Sequence, residues 1–573
     1  MVTLEESNVR VWLKGERGEL DALVERLRFH PPEYWRSPKY QLWKRTDGKS
    51  GWDGTLTLVH RVARDQAWVQ RGHQERLLAA AAQEDIEVEW KERRKPLAGI
   101  TVDDVPPDLL KGLTLDLDQR TCVAELCRNA FGTVEITTSG GKTAVLFSVA
   151  LLIRRRFPDA RFLYVTPSER LVRQVVKEAR KLAPSLRVSQ FGGGVKSETG
   201  RDMVVATMAS LNRNHDRFLV SGWYKTFSGL LFDEVHHVGA PATRKVVGDI
   251  PTFFRFGASA SVKDSSRPQD KMRGLAVEGA FGPARHRTTL APLIEVGRVA
   301  KPILYLVDCP EWNNRFQDLP NRAKKGTKAW CLMGEGWKRG TYVGPVYERD
   351  ERGVIVRNAR KEPTVVINKH LIELDEGGEF EVESRWCLLH RQHDEGVVRF
   401  RDRNRLVVEW VRHYVSKGWP TLVIATRTLH VLIIETLLAE AGLAEVRTLT
   451  GEDTSKTRDE AFAWLVGTPG AVLVSPLVKE GVSLPELKAG VIADYVAGPD
   501  VARQMIGRFI RRKPAGENEA HVTLFIDRQT SAMRRGSLAL VAELEKTRGF
   551  SFFWPCLGPD SIGAGYEAAD LDK

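Results

Sequence analysis

The stretch 136–143, Ile-Thr-Thr-Ser-Gly-Gly-Lys-Thr, constrains this chain more than any other. Residues 134–136 before it read as the end of a strand, and the apolar run 144–153 after it reads as a buried helix. A glycine-rich turn between strand and helix points successive backbone N–H groups inward, and the helix N-terminus adds positive potential there. Thr138, Ser139, Gly140 and Gly141 would form such a cradle. Lys142 would reach the β/γ-phosphates of a nucleotide, and the Thr143 hydroxyl would ligate Mg²⁺. Ile136 stands where the full G-x-x-x-x-G-K-[ST] pattern has its first glycine, so by itself the segment also fits a plain strand–turn–helix junction.

A second segment decides between the two. About ninety residues downstream, 229–234 (Gly-Leu-Leu-Phe-Asp-Glu) is an apolar run ending in two carboxylates. A central strand of a parallel sheet is buried on both faces and delivers its last residues to the carboxyl edge, where ligands bind. Asp233 at that edge suits Mg²⁺, and Glu234 suits orienting and deprotonating a water. His236 follows two residues later. Together the segments predict an ATP site, with ATP and Mg²⁺ as cofactors.

With 573 residues the chain has room for three or four domains, and 42% hydrophobic content disfavours disorder. The net charge of +12 suits a polyanionic partner. More than half of it sits in 322–361, with eleven Lys/Arg against four Asp/Glu. That stretch also carries Trp330, Trp337, Tyr342 and Tyr347, and reads equally as a duplex-contacting wedge or a charged hairpin. Six scattered cysteines without a C-x-x-C pair argue against zinc fingers, iron–sulfur clusters and a disulfide framework, and for a reducing compartment. No run of eighteen apolar residues and no basic-then-apolar start is present, so the expectation is a cytoplasmic protein without membrane contact.

Along the chain, 1–100 reads as a small α+β domain, with strands near 9–13 and 55–60 and a helix near 19–27. Residues 101–302 alternate short strands (133–136, 161–165, 203–206, 229–232, 254–257) with helices, which predicts a doubly wound parallel sheet. Residues 303–402 break the pattern as a basic, β-containing insertion. Alternation resumes over 403–530, with strands at 421–425, 446–448, 471–475 and 490–493, leaving 531–573 as a tail. Only the first α/β unit has a phosphate loop, so ATP is expected in a cleft between two such units.

The remaining motifs fall in an order that resembles superfamily 2 helicases over roughly 110–515. The resemblance implies two tandem RecA-like domains. It gives Gln119 the adenine edge, although Asp118 replaces the aromatic often found before it. It gives Thr166, Pro167 and Arg170, and Thr207 in 206–211, contacts with a nucleic-acid backbone, where hydroxyls and helix N-termini bind phosphate without reading bases. Without the set, each loop would be an ordinary helix cap. Ser259 and Ser261 in 257–261 stand where the family links ATP state to strand grip. Glu480 and Gly481 match the second-domain motif, in which Ser483 replaces the usual Asp. In 504–512, Gln-Met-Ile-Gly-Arg-Phe-Ile-Arg-Arg, the residues Gln504, Gly507, Arg508 and Arg511 match the family's last motif. On a helix, Gln504, Arg508 and Arg511 share one face, as a pair of arginine fingers would require.

Residues 37–54, ending Trp-Asp-Gly, resemble the entry segment of UvsW-like phage DNA helicases. There a small domain precedes the motor and contacts nucleic acid. Five basic residues and one acid over 36–49 surround Tyr40 and Trp43, so Trp43, Lys44 and Arg45 are candidates for stacking and phosphate pairing, against a core aromatic beside a solvated loop. The resemblance implies an ATP-dependent, monomeric motor acting on branched or duplex DNA or an RNA–DNA hybrid. A translocase or annealing motor without strand separation is the near alternative, and a catalytically inactive nucleic-acid scaffold the distant one.

Overall fold

The computed structural model describes residues 1–31, 34–93, 97–137, 140–192, 195–196, 201–260, 268–309, 325–326, 328–333, 336–347, 365–374, 379–383, 387–388, 394–476, 487–496, 499–513, 518–528, 531–547, 549–556 and 558–559. The chain divides into two compact units, Met1–Leu293 and Ile294–Lys573.

The first unit opens with a five-stranded sheet, in the order Val59–Ala63, Gln66–Gln70, Arg10–Lys14, Val2–Glu6, Val88–Glu92. Alternation does the sorting. Val2, Leu4, Val11, Leu13, Val59, Ala67 and Val69 point to one face and are buried against Leu20, Leu23 and Leu77 of helices Arg17–Arg26 and Gln74–Gln83. Arg10, Trp12 and Lys14 take the other, exposed face.

This domain is seated closely on the α/β domain that follows. Asn8 donates to the Pro251 carbonyl at 2.7 Å, and Arg71, paired with Glu6 at 2.5 Å, donates to the Phe253 carbonyl at 2.5 Å. A Cβ on Gly72 would lie 1.7 Å from the Glu278 carbonyl oxygen, and one on Gly279 would lie 1.9 Å from Gln70 Oε1. At Gly72 the neighbours are backbone atoms, so only glycine permits that approach; at Gly279 the neighbour is the movable end of Gln70.

The first parallel sheet consists of β1 (Phe131–Ile136), β2 (Phe162–Thr166), β3 (Val188–Gly192), β4 (Met203–Thr207), β5 (Gly229–Asp233), β6 (Phe254–Ser259) and β7 (Ala284–Thr288). Its order is 3-4-2-5-6-1-7, all parallel, with Val195–Lys196 added antiparallel beside β3. Successive side chains of β5 enter different cores. Leu231 packs with Phe147 and Val172 on one face, and Leu230 and Phe232 pack with Trp223 and Phe281 on the other. The doubly wound parallel sheet expected from strand–helix alternation is what forms.

The second unit repeats the plan with β8 (Lys301–Asp308), β9 (Thr421–Ile424), β10 (Val446–Thr448), β11 (Val472–Ser475), β12 (Ala489–Ile492), β13 (Glu519–Ile526) and β14 (Ser551–Cys556). The order is 10-11-9-12-13-8-14, again all parallel. Thus β8 and β14 extend the second parallel sheet beyond the 403–530 span, one from each side. β8 pairs with β13 over Lys301–Glu519 to Asp308–Ile526, and its apolar run Leu304, Leu306 and Val307 is buried. Between β8 and β9 lies a separate antiparallel sheet of Lys328–Met333, Gly336–Tyr347, Val365–Leu374, Glu379–Glu383 and Cys387–Leu388. The basic stretch 322–361 is therefore in part the first two strands of a sheet, and Tyr342 is 2% exposed within it. Apart from 325–326, the rest of 322–361, like the Trp330 and Trp337 side chains, lies outside the described residues.

Candidate nucleotide site

The phosphate-loop segment leaves β1 and re-enters at Gly140, whose N–H donates to the Thr137 carbonyl at 2.9 Å. A Cβ on Gly140 would stand 2.5 Å from Ile136 Cγ2, so the turn closes only around glycine. Gly141 caps the helix Lys142–Arg156 at φ 92°, ψ 33°, a left-handed conformation that glycine takes without strain. Thr138 and Ser139 lie outside the described residues.

Lys142 Nζ meets Glu234 Oε1 at 3.1 Å, with both side chains only partly exposed. Glu234 has φ 54°, ψ 51°, a region that costs a residue with a Cβ about 1 kcal/mol or more. The turn directs its carboxylate back over the strand end instead of letting it run on with the chain. Ser259 Oγ donates to Glu234 Oε2 at 3.4 Å, and His236 Nδ1 lies 2.9 Å from Ser259 Oγ and 3.4 Å from Glu234 Oε2. Ser259 therefore touches the 233–236 loop; Ser261 lies outside the described residues.

The two neighbouring carboxylates are driven apart. Burial and the negative charge of Glu234 push Asp233 upward, with Lys142 opposing. Burial also acts upward on Glu234, but Lys142 and His236 outweigh it and hold this carboxyl far below its usual range. Asp233 is 6% exposed and accepts from the Glu234 N–H at 3.0 Å.

Gln119 sits at the third position of the helix Leu117–Asn129, in a reciprocal cap with Asp116. Its backbone N–H donates to Asp116 Oδ1 at 2.8 Å, its side-chain oxygen accepts from the Asp116 N–H at 3.3 Å, and its Nε2 donates to the Gly140 carbonyl at 3.5 Å. Gln119 is thus in contact with the phosphate-loop segment. Asp118, beside it, accepts from His286 Nε2 at 2.7 Å and Thr288 Oγ1 at 2.6 Å, bolting this helix to edge strand β7. Nothing local in the sequence signals that pairing.

Tyr164 escaped the sequence reading. It is fully buried on β2, with its ring 6.0 Å from Phe147, one helical turn beyond Thr143. Burial, then the charge of Asp233, pushes its phenol well above the ordinary value. A tyrosine in an otherwise apolar buried strand was the available signal.

Gln119, Gly140, Gly141, Lys142, Asp233, Glu234, His236 and Ser259 thus gather at one sheet edge, with Thr143 in the first turn of the following helix. The residues expected on a nucleic-acid strand are placed differently. Thr166 donates to the Ser168 carbonyl at 3.0 Å, and Thr207 caps helix Met208–Arg213 by accepting from the Ser210 N–H at 3.0 Å; both are buried. Pro167 and Arg170 flank the Ser168 cap of helix Glu169–Leu182. Trp43 is half-buried and stacked on Tyr40 at 5.8 Å, while Lys44 and Arg45 are exposed in the last turn of Pro38–Arg45.

In the second unit the shared helix face expected for Gln504, Arg508 and Arg511 does not form. The helix runs Pro499–Ile506, and Arg508 N–H turns back to the Met505 carbonyl at 3.1 Å. Gly507 and the burial of Phe509 against Gly490, where a Cβ would lie 2.3 Å from the ring, end the helix there. Arg511 continues as a bridge partner of Val299. The Gln504 side chain, Glu480, Gly481 and Ser483 lie outside the described residues.

Residues 81–264 match the family described as Type III restriction enzyme, res subunit. Among solved structures the chain is similar to bacteriophage T4 UvsW, at 14% identity over 96% of this chain and 98% of that one, with a TM-score of 0.39. It is similar to a fragment of a putative HsdR subunit of a type I restriction enzyme from Vibrio vulnificus, at 15% identity over 79% and 70%, with a TM-score of 0.48. It is also similar to S. cerevisiae Dbp5 bound to RNA and ADP BeF3, at 12% identity over 79% and 93%, with a TM-score of 0.46. A comparison with curated proteins gives no match. Likenesses this distant carry no argument about chemistry.

Proposed function

We propose that this chain is a superfamily 2 helicase that couples ATP hydrolysis to tracking along a DNA backbone and so unwinds or remodels branched DNA or R-loops. The observation that carries the reading is the 3.1 Å meeting of Lys142 and Glu234 at the carboxyl edge of a parallel sheet, beside a turn that only glycines can close. The residues fit a triphosphate and its Mg²⁺: a glycine turn at a helix start, a lysine, a hydroxyl and two acids with opposite proton affinities.

Bound Mg²⁺-ATP supplies the cleavable phosphoanhydride. Lys142 leaves Glu234 to neutralise phosphate charge, which frees the Glu234 carboxylate to accept a proton from water. Ser259 and His236 keep that carboxylate oriented. Asp233 and Thr143 would hold the Mg²⁺, and Gln119, tied to the loop through Gly140, would read the base.

Backbone tracking implies weak sequence preference and steep salt dependence. The test is ATP turnover against single-stranded, duplex, forked and RNA–DNA hybrid substrates, with strand-displacement and annealing assays in parallel. Stimulation by nucleic acid with displacement of a forked strand is expected. A rate indifferent to every nucleic acid sinks the reading, and annealing without displacement replaces unwinding by remodelling.

A further inference from the structure

The outer face of the N-terminal sheet carries a row of flat side chains that the nucleotide site does not use. In the register of the sheet, His60 faces Trp68 and Trp68 faces Trp12, so three rings lie side by side across adjacent strands. His60 stacks on Trp68 with centroids 4.1 Å apart. The Arg10 guanidinium lies 4.3 Å from the Trp68 ring and 6.0 Å from Trp12. Trp12 remains 36% exposed at one end of the row, and His60 is exposed at the other. An exposed tryptophan on an open sheet face gives up apolar burial that a soluble domain otherwise takes.

Arg10 and Trp68 also line a cavity of about 220 Å³ where this domain meets the first motor. The wall brings together five cations, Arg10, Arg71, Arg244, Lys245 and Arg255; Glu6 behind it is paired with Arg71 at 2.5 Å, and the one acid in the wall, Asp249, is held by His215 at 3.0 Å. Arg255 is 2% exposed, and the partners of its Nε and Nη groups are the carbonyls of Ala280, Ile250 and Val247 and the Thr252 hydroxyl, so its net charge is not neutralised by them. Burial, with Arg71 adding like charge, pulls this guanidinium down to about 9, still a cation at neutral pH. Arg244 and Lys245 project from the exposed side of helix Pro241–Asp249. An anion in the cavity would relieve the crowding of positive charge.

We infer that this face is a binding site for single-stranded nucleic acid, in which an unpaired base extends the ring row at Trp12 and an adjacent phosphate enters the Arg71–Arg244–Lys245–Arg255 cavity. Flat rings beside a cationic groove match a single strand, because every unpaired base offers a π-face whereas a duplex hides its own. The inference deepens the proposed function by naming where the small domain grips, and it rests on that reading. It is separate from the Trp43–Arg45 helix, whose tryptophan is already stacked on Tyr40.

The test uses the full chain and a fluorescently labelled oligothymidylate, followed by anisotropy. Trp12→Ala, which removes an exposed ring, is expected to weaken binding about tenfold with an unchanged salt slope. Arg244→Ala with Lys245→Ala is expected to weaken binding and make the slope shallower by up to about one unit. ATP turnover without nucleic acid stays at the parent value in both. As a check independent of substitution, ultraviolet crosslinking to a bromouridine-bearing strand places adducts within 10–14 or 60–70. Parent-like affinity in Trp12→Ala, or adducts confined to other segments, overturns the site while leaving the motor intact. A parent chain that binds no strand and whose ATPase no nucleic acid stimulates overturns the site together with the proposed function.

Discussion

At the carboxyl edge of the first motor sheet, the Glu234 side chain keeps 25% of its surface open and its cationic partner is a lysine. At the corresponding edge of the second sheet, Asp527 follows β13 and Asp494 lies two residues beyond β12, and they are 0% and 2% exposed. Arg403 binds Asp527 through Nε at 2.6 Å and Nη2 at 2.9 Å, and gives Nη1 to the Ala493 carbonyl at 2.6 Å. Thr426 N–H donates to Asp494 at 2.6 Å, and His430 lies between Asp494 and Asn404. The same architecture delivers acids to the same edge in both sheets. In one they are spent on the protein itself; in the other, one lysine–carboxylate contact can open toward a ligand. What separates a nucleotide site from a structural network is thus the choice of counterion and access to solvent, since the strands are alike.

The comparison predicts that substitutions at the first edge act on rate and substitutions at the second act on stability. The largest effect belongs to Lys142→Ala, which removes the cation facing Glu234 and is expected to lower nucleic-acid-stimulated ATP turnover by about 10³ or more. Steady-state turnover with a normal unfolding midpoint checks it, and near-parent turnover removes Lys142 from the proposed chemistry. Next, Glu234→Gln is expected to cut turnover by about 10²–10⁴ while moving the thermal midpoint little. A collapse in stability instead would make Glu234 a structural acid like Asp527. Arg403→Met should do the reverse, destabilising the fold by about 3–5 kcal/mol because it strands a buried carboxylate. Adding Asp527→Leu should recover most of that loss in a denaturant titration, and failure to recover would mean that the pair does more than satisfy itself.

The smallest effect lies within the first motor. The hydrogen bond that His286 donates to Asp118, partly offset by burial, raises the His286 proton affinity. A group whose folded value is raised stabilises fully below its unfolded value, near 6.5, and loses that stabilisation as pH rises through the folded value. The pair is partly exposed, so about 0.2–1 kcal/mol is expected. His286→Gln should flatten the stability–pH curve over that window, and an unaltered curve would leave the Asp118 contact without energetic weight.

Much of this was legible in the sequence. The strands 229–232 and 254–257 were readable because a buried parallel strand is an uninterrupted apolar run, and the structure extends them by one and two residues to Asp233 and Ser259. Edge strand β7, Ala-Arg-His-Arg-Thr, was missed because it is polar and half-buried and carries no alternation. β8 and β14 were read as insertion and tail because their partner, β13, is distant in sequence. The 504–511 motif matched in spacing but not in conformation, since Gly507 ends the helix that the spacing presumes. Arg403 and Asp527 are 124 residues apart, and no local pattern reports such a pair. The Trp12–Trp68 row needs the register of two strands to become visible.

The facing glycines 72 and 279 leave the small domain little freedom to swing on the first motor. A nucleotide gripped on its outer face would therefore stand at a constant offset from Lys142 throughout a turnover cycle. Such a grip would act as a ruler rather than a flap: the small domain could register where the track is, while any advance along it must originate elsewhere in the molecule.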